Sequence, residues 1–370
     1  MTLISLLKRE GPCLSSTLAD LLIQSKKISA ENARKVISRA VLSGEISSIK
    51  NVFPKRVQFV YLRDSYGSDE FWQILTDKLI ESGSALGLAL SALLARGGII
   101  PKRDFGAASG SPVAMKKKTP FTVVWQRLVK IGLCTEIILP EIGECIALRE
   151  KDERRYDSVS RQIHARLVTE SIFIATMVQW SQNLNLISYN LARTRQDEEG
   201  KPPAISNYLF DLTGPSYLSP LVTPGSDVNK PGFFACDVLL GTKVTLAQVQ
   251  PFIAKCKSLR SIRNVGKSLF MLAASQFDKD AFHALKKEGV IPATPENLFG
   301  EEFAKSLREL NDFLFYFFTN ASSNLEKIDS IMVALANVKG AAAQLQGALF
   351  EYLVAEVMKH EGAEIGRAHV

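Results

Sequence analysis

Apolar residues recur at three- and four-residue spacing through most of the first 150 positions, and short alternating runs interrupt them. The first such segment predicts a helix over residues 2–9, stopped by Gly11-Pro12. Ser15-Ser16 introduces a second helix to about residue 24, with Leu18, Leu21 and Leu22 inward. A third spans 29–42, with Ser29 as its N-cap and Gly44 beyond its end. Its inward face is Ala33, Val36, Ile37, Ala40 and Val41. Two β-type runs, 46–50 and 58–62, flank a basic tip, Phe53-Pro54-Lys55-Arg56.

A weaker version of this layout follows. Helices are expected over 70–81 and 84–95, then Gly97-Gly98 and an extended 99–102. A loop with Gly106, Gly110 and Lys116-Lys117-Lys118 leads to Thr119-Pro120, a cap plus first-turn proline, and to a helix over 121–131. That helix buries Val123, Val124, Leu128 and Ile131, and runs 133–139 and 144–149 form a hairpin.

The period changes after the charged linker 150–155. A long amphipathic helix over 156–183 precedes strand-like runs at 186–189, 208–212 and 232–240. Then come a helix over 246–259, a strand over 269–274, a helix over 278–288 and the run Gly289-Val290-Ile291. This α-β-β-β-α-β-α-β order implies a mixed sheet flanked by helices. Pro215 to Leu218 and Pro224-Gly225 read as turns, and 196–203 as an exposed loop. From 303 to 337 the chain is helical, with Leu307, Leu310, Phe313, Leu314, Phe317 and Phe318 as core or interdomain brace.

The fold class is therefore α+β and multidomain. The expected boundaries are 1–67, 68–150, 156–300, a helical segment 301–338, and an opening helix of a further domain at 339–363. Residues 364–370 match the translation of a common sequencing adapter and are expected to be a cloning-derived tail.

Composition narrows the classes. The chain has 370 residues, 46% hydrophobic and 22% charged, as in folded globular proteins. No apolar run reaches the ~18 residues of a membrane span. Five scattered cysteines without a CxxC pair point to reduced thiols and a cytoplasmic setting. The net charge of +7 lies almost entirely in residues 1–67, which hold 11 Lys and Arg against 5 Asp and Glu. Residues 68–150 hold 10 against 9, and 151–370 hold 24 against 24. A polyanion is the partner such a first segment attracts, with nucleic acid the first candidate.

Three helices, a hairpin and a basic tip make a winged helix. Its third helix presents Arg34, Lys35, Ser38 and Arg39, which can reach base edges and phosphates in a major groove. Lys55 and Arg56 on the wing sit beside the phosphate backbone in that geometry. The plainer alternative is a solvated helix face, and winged helices also bind proteins. In the second module, Lys116, Lys117 and Lys118 either track phosphates or belong to a solvated loop, and Gln126, Arg127 and Lys130 are its exposed helix residues.

The order of elements over 156–300, with Lys267–Phe277 followed by a helix to Gly289-Val290-Ile291, resembles Mrr-type restriction endonucleases of the PD-(D/E)xK superfamily. That resemblance implies a helix Glu, a strand Asp and a D/E-x-K pair, which hold Mg²⁺ and activate water. Glu170 falls where the helix Glu would be, Asp211 is the candidate strand Asp, and Asp237 opens the D-x-K pair. Two positions on stands Leu239 instead of lysine, and Lys255 on the next helix is the candidate replacement. The favoured reading is a degenerate, noncatalytic domain, with Asp237 alternatively a strand-end cap. Gly347 and Phe350-Glu351 match the opening of a further nuclease domain, in which Glu351 is either the first metal-site residue or a surface glutamate.

Gly266-Lys267-Ser268 lacks the upstream glycine of a phosphate loop. The sequence thus predicts the DNA-binding portion of a bacterial restriction- or defence-type endonuclease, docking double-stranded DNA. It needs no cofactor within these residues, and Mg²⁺ only in a completed nuclease domain. A homodimer is left open. The alternative is a noncatalytic winged-helix regulator or scaffold.

Overall fold

The computed structural model describes residues 2–140, 142–150, 154–197, 202–225 and 229–317. It is a mixed α and β structure.

The first module runs α1 (Leu3–Glu10), β1 (Cys13–Leu14), α2 (Ser15–Lys26), α3 (Ala30–Leu42), β2 (Ser47–Ile49) and β3 (Phe59–Tyr61). Thr2 and Ser29 cap α1 and α3, each side chain accepting an amide three residues on. Ala33, Ile37 and Ala40 are buried against Leu18 and Leu22 of α2, with Val36 and Val41 at the margin. The sheet order is β1-β3-β2, all antiparallel.

The second module contains α4 (Asp69–Glu81), α5 (Ala85–Ala95), β4 (Ile99–Pro101), α6 (Phe105–Ala108), α7 (Phe121–Ile131), β5 (Cys134–Leu139) and β6 (Gly143–Leu148). Its sheet order, β4-β6-β5, repeats the first-third-second pattern of the first module. The two share a core in which Val52, Phe53 and Phe59 meet Phe71, Leu75 and Leu79 of α4. The glycine-containing segment expected to be a loop differs: it forms α6, and residues 104–112 are buried throughout. A Cβ on Gly106 would lie 2.7 Å from Leu209, and one on Gly110 would lie 2.4 Å from the Pro251 carbonyl. These glycines permit close approach to the next unit rather than freedom in solvent.

That unit begins with α8 (Arg154–Asn183) and continues through β7 (Arg193–Thr194), β8 (Ala204–Ile205), β9 (Tyr208–Leu209), β10 (Leu212–Ser216) and β11 (Gly232–Val244). It ends with α9 (Leu246–Arg260), β12 (Ser268–Phe277), α10 (Lys279–Lys287), β13 (Val290–Ala293), α11 (Pro295–Phe299) and α12 (Glu301–Phe317). The five-stranded sheet has order β13-β12-β11-β10-β7. Strands β11, β12 and β13 are mutually parallel, while β10 is antiparallel to β11 and β7. Alternation along β11 sends Phe234, Cys236, Val238 and Leu240 to the face covered by α8 and α12. Ala235 and Leu239 turn to the face covered by α9 and α10.

Two strand expectations are corrected. Residues 186–189 form no strand; Leu186 N closes back on Ser181 O at 2.8 Å, and buried Ile187 packs over Gly214. The turn expected at 215–218 begins inside β10, which runs to Ser216, while β7 pairs only with Leu212 and Thr213. Pro215 therefore sits where the ladder beyond β7 needs no amide. Residues 318–337, the segment 339–363 with Glu351, and the tail 364–370 lie outside the described residues. Among the described residues, no single helix is long and apolar enough to cross a membrane.

Candidate functional site

Two constellations gather the predicted residues. On the first module, α2, α3 and the tip between β2 and β3 enclose a groove of about 500 Å³. Arg34 and Ser38 line it from α3, Lys55 and Arg56 from the tip, and Ser15 and Ser16 from the start of α2. Helix α2 has no side-chain cap, and its first amide, Ser15 N, donates instead to the Gln58 carbonyl at 2.8 Å. The Ser15 hydroxyl is taken by the Gln58 amide at 3.1 Å, which ties the tip to the helix start. Lys55 and Arg56 both hold left-handed backbone, with φ of 56° and 59°. Each such residue costs about 1–2 kcal/mol without a glycine. Lys35 and Arg39 form a neighbouring exposed stripe, where Lys35 pairs with Glu31 at 2.7 Å.

The second module offers a different surface. Gln126, Arg127 and Lys130 on α7 and Lys116, Lys117 and Lys118 before it are exposed. The short turn between β5 and β6 lacks Lys and Arg, and Ile138 beside it is 79% exposed. Glu136 is held by Trp125 and Lys102.

The second constellation is buried where the second module meets the five-stranded unit. Asp237 points to the α9 face of the sheet, so the helix covering that face supplies its partner. Lys255 Nζ donates to Asp237 Oδ2 at 2.5 Å. It also donates to the Leu209 carbonyl at 2.7 Å and to the Ala107 carbonyl of α6 at 3.1 Å. The ammonium lies 4.0 Å from the centroid of the Phe210 ring. Its three donors are thus all satisfied at a site with no solvent exposure.

Glu170 and Asp211 meet through a residue that sequence reasoning missed. Arg195 donates to Glu170 Oε2 at 2.7 Å and to Asp211 Oδ1 at 3.1 Å. The amides of Leu240, Val238 and Asp211 donate to Glu170 Oε1, Asp211 Oδ2 and Asp237 Oδ1, respectively. Arg166 approaches Glu170 at 3.8 Å, and Asp104 and Arg96 are buried in the same field. Four carboxylates and four cations therefore share one interior. Nothing in the linear pattern marked Arg195, which follows a two-residue strand and stands just before the loop expected at 196–203.

Burial pushes the Asp237 carboxyl up to about 6, against the pull of Lys255. Burial likewise raises Asp104, opposed by Arg195. It lowers Arg166 to about 10 despite Glu170. For Arg195, burial is outweighed by Asp211 and Glu170, and the guanidinium is held above its ordinary value.

The donor set does not fit the Mg²⁺ that the nuclease resemblance implies. Both oxygens of Glu170, Asp211 and Asp237 are occupied by amides, Arg195 or Lys255. A divalent ion would enter beside two buried cations and have to displace them.

Comparison of the chain with protein-family models, with curated proteins and with solved structures returns no match.

Proposed function

We propose that the chain binds double-stranded DNA through its first module, in the manner of a winged helix. The observation that carries this reading is the groove in which Arg34 and Ser38 face Lys55 and Arg56. Strain at the two tip residues has a use if it aims their side chains at a phosphate backbone beside a helix in the major groove. The +6 balance of residues 1–67 supplies the long-range attraction. The second module, with a β5–β6 turn that lacks Lys and Arg and a near-neutral balance, serves mainly to join this reader to the five-stranded unit.

In this reading the five-stranded unit is a nuclease-like fold of restriction-endonuclease type, kept as a packed and noncatalytic body. Its helix-strand order and the meeting of Glu170, Asp211, Asp237 and Lys255 support the likeness, while saturation of the carboxylates supports the absence of hydrolysis.

The test is fluorescence anisotropy with a labelled duplex across a salt series, comparing wild type with R34E/R39E/K55E. Three lost phosphate contacts should flatten the log–log salt dependence by about 3. Affinity at low salt should fall by one to two orders of magnitude. Unchanged affinity and slope would remove the first module as the DNA reader.

A further inference from the structure

The five-stranded unit carries a second crevice, which shares no lining residue with the groove on the first module. Strand β12 leads into α10, which lies on one face of the sheet with Ala281 and Leu285 in its core. The adjacent parallel strand β13 leads into α11 and α12, which cover the opposite face through Phe299, Phe303 and Leu307. The connections diverge, and a crevice opens at the carboxyl ends of the strands. Open α/β sheets place ligands at such switch points because diverging loops leave concave space there.

The space is about 670 Å³, within the range of small-molecule sites. Its walls carry Lys243 from the end of β11, Lys279 from the start of α10 and Arg308 from α12. All three are exposed, and no ion pair engages them among the described residues. Lys243 stands in register with Gln276 of β12, past an irregularity after Leu239 that re-aims the strand end. Gln276 and Asn297 bring side-chain amides, and Phe282 brings an aromatic ring. Of the two lining carboxylates, Asp278 is occupied as the cap of α10, accepting from the Ala281 amide at 2.6 Å. Glu296 is the other.

We propose that this crevice binds a nucleotide. Lys243, Lys279 and Arg308 take its phosphates, Phe282 stacks on the base, and Gln276 and Asn297 face the base edge. Cations suit the phosphates, amides can both donate to and accept from a base edge, and a ring face suits any base. The nucleotide is either free or a unit of a single strand, and the two sources share this chemistry. The proposal does not depend on duplex binding by the first module.

Isothermal titration of the full chain with ATP, GTP, inorganic tripolyphosphate and a short single-stranded oligonucleotide tests it. Wild type should bind at least one nucleotide probe more tightly than tripolyphosphate. K243E/K279E/R308E should weaken that binding at least about tenfold, equivalent to about 1.4 kcal/mol. It should melt at the wild-type temperature, since all three side chains are exposed. R34E/R39E/K55E should bind the nucleotide probe unchanged, which separates this site from the duplex reader. Loss confined to the oligonucleotide assigns the strand as the source, and loss of ATP or GTP assigns the free ligand. No uptake of any nucleotide, equal affinity for tripolyphosphate, or undiminished binding by the triple variant overturns the assignment.

Discussion

Replacing Lys255 by methionine tests how the interior charges are held. The substitution keeps much of the side-chain volume and removes the ammonium from Asp237, Ala107 O and Leu209 O. Breaking a buried ion pair on one side costs about 3–5 kcal/mol, because the remaining charge keeps its desolvation penalty. Two carbonyls losing a charged donor add to this, but protonation of Asp237 relieves part of it. Burial already holds that carboxyl up at about 6, and loss of Lys255 removes the main influence opposing the rise. A net cost of about 3–5 kcal/mol is therefore expected from urea unfolding at neutral pH. The pH dependence has a definite sign. A carboxyl whose folded pKa is raised binds its proton more tightly in the folded state, so stability rises as pH falls from the folded pKa towards the unfolded value. K255M should thus recover part of its deficit relative to wild type between pH 7 and about pH 5. K255M/D237N, which removes both charges and keeps an acceptor for the Asp211 amide, should be more stable than K255M alone, since no uncompensated charge is then buried. A cost for K255M below about 1 kcal/mol, or a double variant no better than the single one, would refute the picture of a tightly held buried pair.

Gly110→Ala is expected to destabilise the join between the second module and the five-stranded unit by about 2 kcal/mol or more. The new methyl would lie 2.4 Å from Pro251 O, and the residue holds a φ of +72°; thermal melting with limited proteolysis between the units reads this, and a melt equal to wild type would contradict the close approach. The thiols should be inert in the folded chain. All five cysteines are buried, and burial pushes Cys13 up to about 11 and Cys134 and Cys145 to about 12. Titration with a thiol-reactive disulfide near pH 8 should therefore detect them only after denaturant is added, and rapid native labelling would show that the cores open.

The local elements of this protein were legible in its sequence wherever burial is one-sided. Ala33, Ile37 and Ala40 repeat at helical spacing because one face of α3 is buried, and Ser29 caps it because its hydroxyl reaches an amide three residues away. The hairpins, the surplus of basic charge in the first module and the strand-helix-strand-helix-strand succession from residue 232 to 291 follow from equally local patterns. Even Asp237 and Leu239 could be assigned to one face of a strand, since alternation is a property of the extended backbone. What tertiary packing alone decided is which distant groups meet. Lys255 looks in sequence like one more helix lysine, and only the packing of α9 over the sheet, with α6 pressed behind it, leaves its ammonium without solvent. Arg195 carries no local mark, and only the sheet edge brings it between Glu170 and Asp211. Gly106 and Gly110 resemble flexible-loop residues, yet they serve close contact with Leu209 and Pro251. Pro215 signals a turn, and the shortness of β7 makes it a strand residue. Periodicity records the side on which a residue is buried, whereas charge pairing and close approach depend on where other elements pack, which a local pattern does not encode.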